Sequence, residues 1–148
     1  MKYLDVATIV CMGWLVGIEF AVSAFINPIL WKLEASAQAH AVRLFADRLG
    51  KVMPFWYGAV FLLLSTEAFL RRLQVGFLLL VAAAVLWAAV ILVTVLFLVP
   101  INNRLARAEI GSLSAAEAQH RQWDVLHRGR VLALTLAMLA FLLARVAP

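Results

Sequence analysis

Residues 75–99 read VGFLLLVAAAVLWAAVILVTVLFLV, 25 positions without one charged side chain. Roughly 20 apolar residues in a helix are enough to cross the hydrocarbon layer of a bilayer, so this stretch is a transmembrane helix. Three further runs flank it. Leu4–Ile26 carries only Asp5 and Glu19 as charges, Val52–Leu70 carries only Glu67, and Val131–Ala144 continues an apolar run that begins near Trp123. The last spans only if its polar first turns are included. The expected fold class is therefore all-α: an integral membrane four-helix up-and-down bundle in one transmembrane domain, residues 1–148. Its helices are expected over about 4–28, 52–71, 75–99 and 122–146.

Composition agrees. Two thirds of the chain is hydrophobic and 14% is charged, which excludes an ordinary soluble globule. The net charge of +5 does not point to nucleic acid, because the basic residues sit at helix ends and in connections rather than on one face. They bear instead on orientation. Lys32, Arg43, Arg48, Lys51, Arg104, Arg107, Arg121, Arg128 and Arg130 fall on one side, against Lys2, Arg71, Arg72 and Arg145 on the other. The positive-inside rule then puts the two longer connections in the cytoplasm and both termini outside, in a bacterial inner membrane; the Arg71-Arg72 turn opposes this. Cys11 is the single cysteine and reads as a packing residue. The N-terminus imitates a signal peptide, with Lys2, an apolar run and Val22-Ser23-Ala24, but the run is long and reads as a retained helix.

Breakers divide the chain further. Asn27-Pro28 should end or kink helix one. Residues 32–50 read as an amphipathic interfacial helix, with Leu33, Ala37, Ala41, Leu44, Phe45 and Leu49 as its apolar stripe. Gly50 is its expected stop, and Pro54 falls near the first turn of helix two. The Arg71–Gln74 link makes helices two and three antiparallel neighbours. Helix three should end at Pro100, followed by a polar connection to Ser112. Ser114-Ala-Ala-Glu117 has the form of a capping box that opens a short helix continuing into helix four. Phe25-Ile-Asn-Pro28 and Val99-Pro-Ile-Asn-Asn103 echo each other at the ends of helices one and three, over too few residues to define a repeat.

The chemistry-bearing residues gather at the start of helix four. In Trp123-Asp-Val-Leu-His-Arg-Gly-Arg130, Trp123, His127 and Arg130 follow i, i+4, i+7 spacing and share a face. At a rise of about 1.5 Å per residue, Glu19 lies roughly 13 Å below the end of helix one and Arg130 roughly 12 Å inside helix four. Equal depth predicts a carboxylate–guanidinium pair. His127 would sit about one turn nearer the cytoplasmic face, with Asn27, Asn102 and Asn103 above it at the mouth. Two readings of this cluster stand: a polar network that fixes helix register, and a functional site, the default for ionisable residues inside a membrane. Glu67 falls at another level and pairs with Arg71 at i+4; Asp124 and Arg128 read as a solvated pair. Trp31, Trp56 and Trp123 fit an aromatic belt. Trp14 and Trp87 fall mid-helix, as core residues or as the lining of a pocket for a flat aromatic ligand. His40, His120 and His127 show no metal-ligand spacing. Bis-histidine haem ligation would need two transmembrane histidines where only His127 qualifies, leaving one axial histidine.

The first helix ending in Asn27-Pro28, the Val99-Pro-Ile-Asn-Asn-Arg104 turn and the Trp123-x3-His127-x2-Arg130 segment resemble the anthrone-oxygenase-like family of small four-helix membrane proteins. The resemblance implies oxidation of an anthrone, or a similar phenolic polycyclic substrate, by oxygen. Such a hydrophobic aromatic molecule would enter from the bilayer between Trp14, Trp56 and Trp123. His127 or Glu19 would remove a ring proton, and Arg130 with Asn102 or Asn103 would stabilise the oxyanion. The carbanion reacts with oxygen directly, so a cofactor is not obligatory; a single metal on His127 and Glu19, or a haem, are the variants. The alternative is a non-enzymatic membrane protein that binds a lipid, quinone or haem, or a small structural or transport subunit. A homo-oligomer is compatible with either.

Overall fold

The computed structural model describes residues 2–106 and 113–146. Four helices long and apolar enough to cross a membrane account for it, with no strand among the described residues. Helix α1 is Lys2–Leu30, α2 is Ala35–Leu70, α3 begins at Phe77 and runs through Val99–Ala106, and α4 is Leu113–Val146. Each helix packs against its neighbours in chain order, and α4 closes the ring on α1, with α2 and α4 also meeting across the centre. Hydrophobic burial gives helices no drive to associate in lipid, so close packing must do it. Ala83 and Ala137 admit this closeness beside the buried Trp87, Phe141, Leu80 and Leu134. Gly76 is the tightest point. A Cβ there would lie 2.5 Å from the carbonyl oxygen of Ala144, so the turn between α2 and α3 rests directly on the backbone of α4.

The expected breaks are differently resolved. Gly50 does not stop a separate interfacial helix: residues 35–70 form one continuous helix with Pro54 inside it. At about 1.5 Å per residue this helix is longer than the hydrocarbon layer is thick. Its first half therefore extends the bundle in line with the second half, as part of the same helix. The face it buries is that of Val42, which packs with Ile101, Leu105, Leu30 and Ala46, whereas Leu33, Leu44 and Phe45 of the expected stripe are exposed. Packing on both sides of Pro54 outweighs the one hydrogen bond the proline removes. The helix that begins near Ser114 is continuous with the fourth span, so α4 starts nine residues before the expected 122.

Neither Pro28 nor Pro100 ends its helix. Each follows a π turn, Val22–Ile26 in α1 and Thr94–Leu98 in α3, and helix resumes with the proline in its first turn. Asn27 N–H bonds back to Val22 and Val99 N–H to Thr94, a five-residue step that widens the helix ahead of a ring unable to donate. The polar segment after Pro100 is thus helical as far as Ala106. The echo between the two helix ends is one of backbone geometry as well as sequence.

Candidate functional site

Both π turns, together with Gly50 and Pro54 of α2, border one cavity between the four helices. Its free space is about 1040 Å³ with the open mouth included. Its walls are mostly aliphatic, and Ile18, Phe45 and Val95 at its edge are exposed to the surroundings of the bundle. Two polar clusters reach into it from opposite ends.

The deeper cluster centres on Glu19, 2% exposed. Tyr57 Oη donates to Glu19 Oε1 at 2.7 Å, and Arg130 Nη2 donates to Oε2 at 2.7 Å. Arg130 Nη2 also lies 2.8 Å from His127 Nδ1. A guanidinium only donates, so Nδ1 accepts and the ring proton belongs on Nε2, which meets the backbone carbonyl of Glu19 at 3.1 Å. Trp123 stacks on the imidazole with centroids 4.5 Å apart. His127 is thereby a neutral strut that aims Arg130, with both nitrogens engaged. Trp87 donates to the carbonyl of Tyr57 at 3.1 Å and ties the cluster to the core. One donor is left over: Arg130 Nε is buried without a partner.

Thr94, in the π turn of α3, carries a second unpartnered polar atom. Thr8, Thr66 and Thr135 each donate to the carbonyl four residues back, the usual refuge of a threonine hydroxyl on a helix. Thr94 Oγ1 makes no such bond and belongs to a residue of the cavity wall.

The second cluster lies nearer the polar ends of the helices. His120 Nε2 is 2.6 Å from Asn27 Oδ1, and Asn27 Nδ2 donates to Asp124 Oδ1. Gln38 Nε2 is 3.0 Å from His120 Nδ1, and the indole of Trp31 stacks on the His120 ring at 4.3 Å. Asp124 also pairs with Arg128 at 2.8 Å. Asp124 is therefore buried, not one half of a solvated pair, because Asn27 brings α1 over it.

Of the residues the sequence points to, Glu19, Asn27, Asn102, Trp123 and Arg130 line the cavity, and His127 stands behind Arg130. Trp14, Trp56 and Asn103 do not line it. Trp14 is 61% exposed and packs tilted on Trp56, which donates to the carbonyl of Cys11; Asn103 is exposed on α3. Tyr57, Thr94 and His120 join the wall unforeseen. For His120 a signal existed, since His120, Asp124 and His127 share the i, i+4, i+7 face already noted for Trp123, His127 and Arg130. Among the described residues no three His, Cys, Asp or Glu side chains converge as a metal site. His127 has no free nitrogen to offer one, and a metal on His127 and Glu19 would have to displace Arg130 from both.

The arrangement defines a small four-helix bundle of membrane-spanning length, with a mostly apolar cavity between its helices and a buried polar cluster at each end of it. The chain belongs to the anthrone oxygenase family, whose profile matches residues 42–140, about two thirds of the sequence. No curated protein and no solved structure matches it. The matched span holds Tyr57, Thr94, His120, Asp124, His127 and Arg130, while Glu19 and Asn27 precede it.

Proposed function

We propose that the protein is a membrane-embedded oxygenase that converts the ring methylene of an anthrone-type phenolic ketone to a carbonyl with molecular oxygen. One oxygen atom becomes the new carbonyl and the other leaves as water, so the four-electron oxidation of the methylene carbon balances the four-electron reduction of oxygen. Loss of the first ring proton turns the ketone into an electron-rich anion whose charge rests on the ketone oxygen. The observation that carries this reading is that two residues of the cavity wall, Arg130 and Thr94, each hold a buried polar atom without a partner, Nε and Oγ1. Two donors without acceptors suit a ligand oxygen that gains negative charge. Asn102, also in the wall, lies about two turns further along α3, toward the His120 end. The exposed apolar edge suits a substrate that arrives from the bilayer, and the basic excess at the helix ends nearest the cavity suits a cytoplasmic placement of that end.

Oxygen uptake by purified protein in lipid nanodiscs with an anthrone as substrate tests this. Thr94→Val, which keeps the shape and removes the hydroxyl, is expected to lower kcat/KM by about ten- to a hundredfold, with Thr94→Ser close to wild type. Asp47→Asn, on an exposed ion pair, is expected to leave uptake unchanged. A Thr94→Val protein as active as wild type contradicts the assigned donor. Tight binding of the aromatic ligand without turnover in the wild type favours the alternative of a binding protein.

A further inference from the structure

An acidic ring proton needs a base, and the geometry points to His120 as the group that takes it, with Asn27 and Asp124 holding it ready; the inference rests on the oxygenase reading above. In an anthrone the ketone oxygen and the reacting methylene lie across the central ring from one another. If Arg130 and Thr94 hold the oxygen, the base must stand on the far side of the cavity. Glu19 does not: its two oxygens already accept from Tyr57 and from Arg130 itself, on the oxyanion side. His127 is outside the wall, and its Nδ1 is held by the charged guanidinium of Arg130. Tyr57 spends its hydroxyl proton on Glu19, on the oxyanion side, so among the described residues the remaining acid–base group of the wall is His120. It stands ten residues from Arg130 on the same helix, a rise of about 15 Å along which the Arg130 side chain leans back toward His120.

The hydrogen bonds set its proton. A carboxylate only accepts, so Asp124 fixes the Asn27 amide with Nδ2 toward itself and Oδ1 toward His120. An acceptor at that point requires the proton of His120 on Nε2, which leaves the lone pair on Nδ1. Among the described residues that lone pair accepts from Gln38, an uncharged side chain in the first turn of α2, which must turn aside for the proton transfer. In the step itself the ring C–H bond breaks, its electron pair stays in the ring and moves onto the oxygen at Arg130, and the proton forms a bond to Nδ1. The imidazolium so produced is stabilised through Asn27 by Asp124, and Trp31 keeps its plane. His120 is the catalytic residue of this step; Asn27 and Asp124 are positioning residues.

The proton step is separable from oxidation by excluding oxygen. Wild-type protein in nanodiscs under anaerobic deuterium oxide is expected to speed exchange of the anthrone methylene protons above the protein-free rate, read by mass spectrometry. His120→Asn is expected to lose about a hundredfold of that acceleration. Asp124→Asn, which frees the Asn27 amide to turn, is expected to lower kcat about tenfold with KM within about twofold, and Asp124→Glu to recover part of it. Folded His120→Asn that exchanges at the wild-type rate, while the wild type oxidises its substrate, overturns this inference and leaves the oxygenase reading intact. A wild type that neither exchanges nor oxidises overturns both. Should His120→Asn not fold, the Asp124→Asn result decides: a kcat equal to wild type overturns the assignment.

Discussion

Replacing Arg130 with methionine is expected to lower turnover about a thousandfold, the loss that follows removal of a preorganised donor from a site where charge develops. It should also lower stability by about 3–5 kcal/mol, because a buried ion pair that loses one partner leaves the other charge uncompensated. The side chain is 9% exposed and bonds both Glu19 and His127. Without it Glu19 keeps the hydroxyl of Tyr57 and, 3.2 Å away, His127 Nδ1, but no fixed charge, and His127 Nδ1 loses its donor. Arg130→Lys separates the two effects. An ammonium restores charge to Glu19 but has no second nitrogen to present toward a ligand, so thermal unfolding in detergent should recover more than oxygen uptake does. Methionine at this position with wild-type turnover contradicts the assigned role.

Arg71→Met is expected to be as damaging to stability and harmless to the cavity. Arg71 Nε donates to Glu67 at 2.6 Å and Nη2 to Asp5 at 2.7 Å, while Arg145 reaches Asp5 at 3.0 Å. These four residues bind the N-terminal end of α1 to the C-terminal ends of α2 and α4, at the end of the bundle opposite His120. Glu67 is 0% exposed and Arg71 is its ion-pair partner, so removing Arg71 alone should cost about 3–5 kcal/mol. The double variant Glu67→Gln with Arg71→Met should recover part of that loss, since no buried carboxylate is then stranded beside it. The measurement is the unfolding temperature of the three proteins in one detergent, with ligand binding followed in the folded fraction. An unchanged unfolding temperature in Arg71→Met, or a double variant that shows no recovery, contradicts a buried clamp at this end.

The residues legible in the sequence were those whose position is set by arithmetic. An uncharged run of 25 residues decides a membrane helix by length, and the rise per residue puts Glu19 and Arg130 at one depth, where they pair at 2.7 Å. The pairing of Glu67 with Arg71 follows from i, i+4 spacing in the same way. What escaped the sequence depended on partners from other helices. Asp124 has Arg128 four residues on, a sufficient partner in one dimension; only the approach of α1 shows that Asn27 buries it. Tyr57 and Thr94 carry hydroxyls within apolar runs, indistinguishable there from packing residues. The prolines misled for a physical reason: a helix gripped on both sides absorbs the missing donor, by a π turn at Pro28 and Pro100 and by plain continuity at Pro54. Trp14 sits at mid-helix, yet depth says nothing about which way a side chain faces, and it faces out.

The central claim is that oxygen from O₂ is placed on a substrate held in this cavity. Its most direct test is turnover of an anthrone under ¹⁸O₂ by wild-type protein and Arg130→Met in nanodiscs, with mass spectrometry of the product. The expected product is a quinone carrying one ¹⁸O, formed by the wild type well above the protein-free rate and by Arg130→Met hardly at all. Product formed equally in both, or quinone without label, contradicts it.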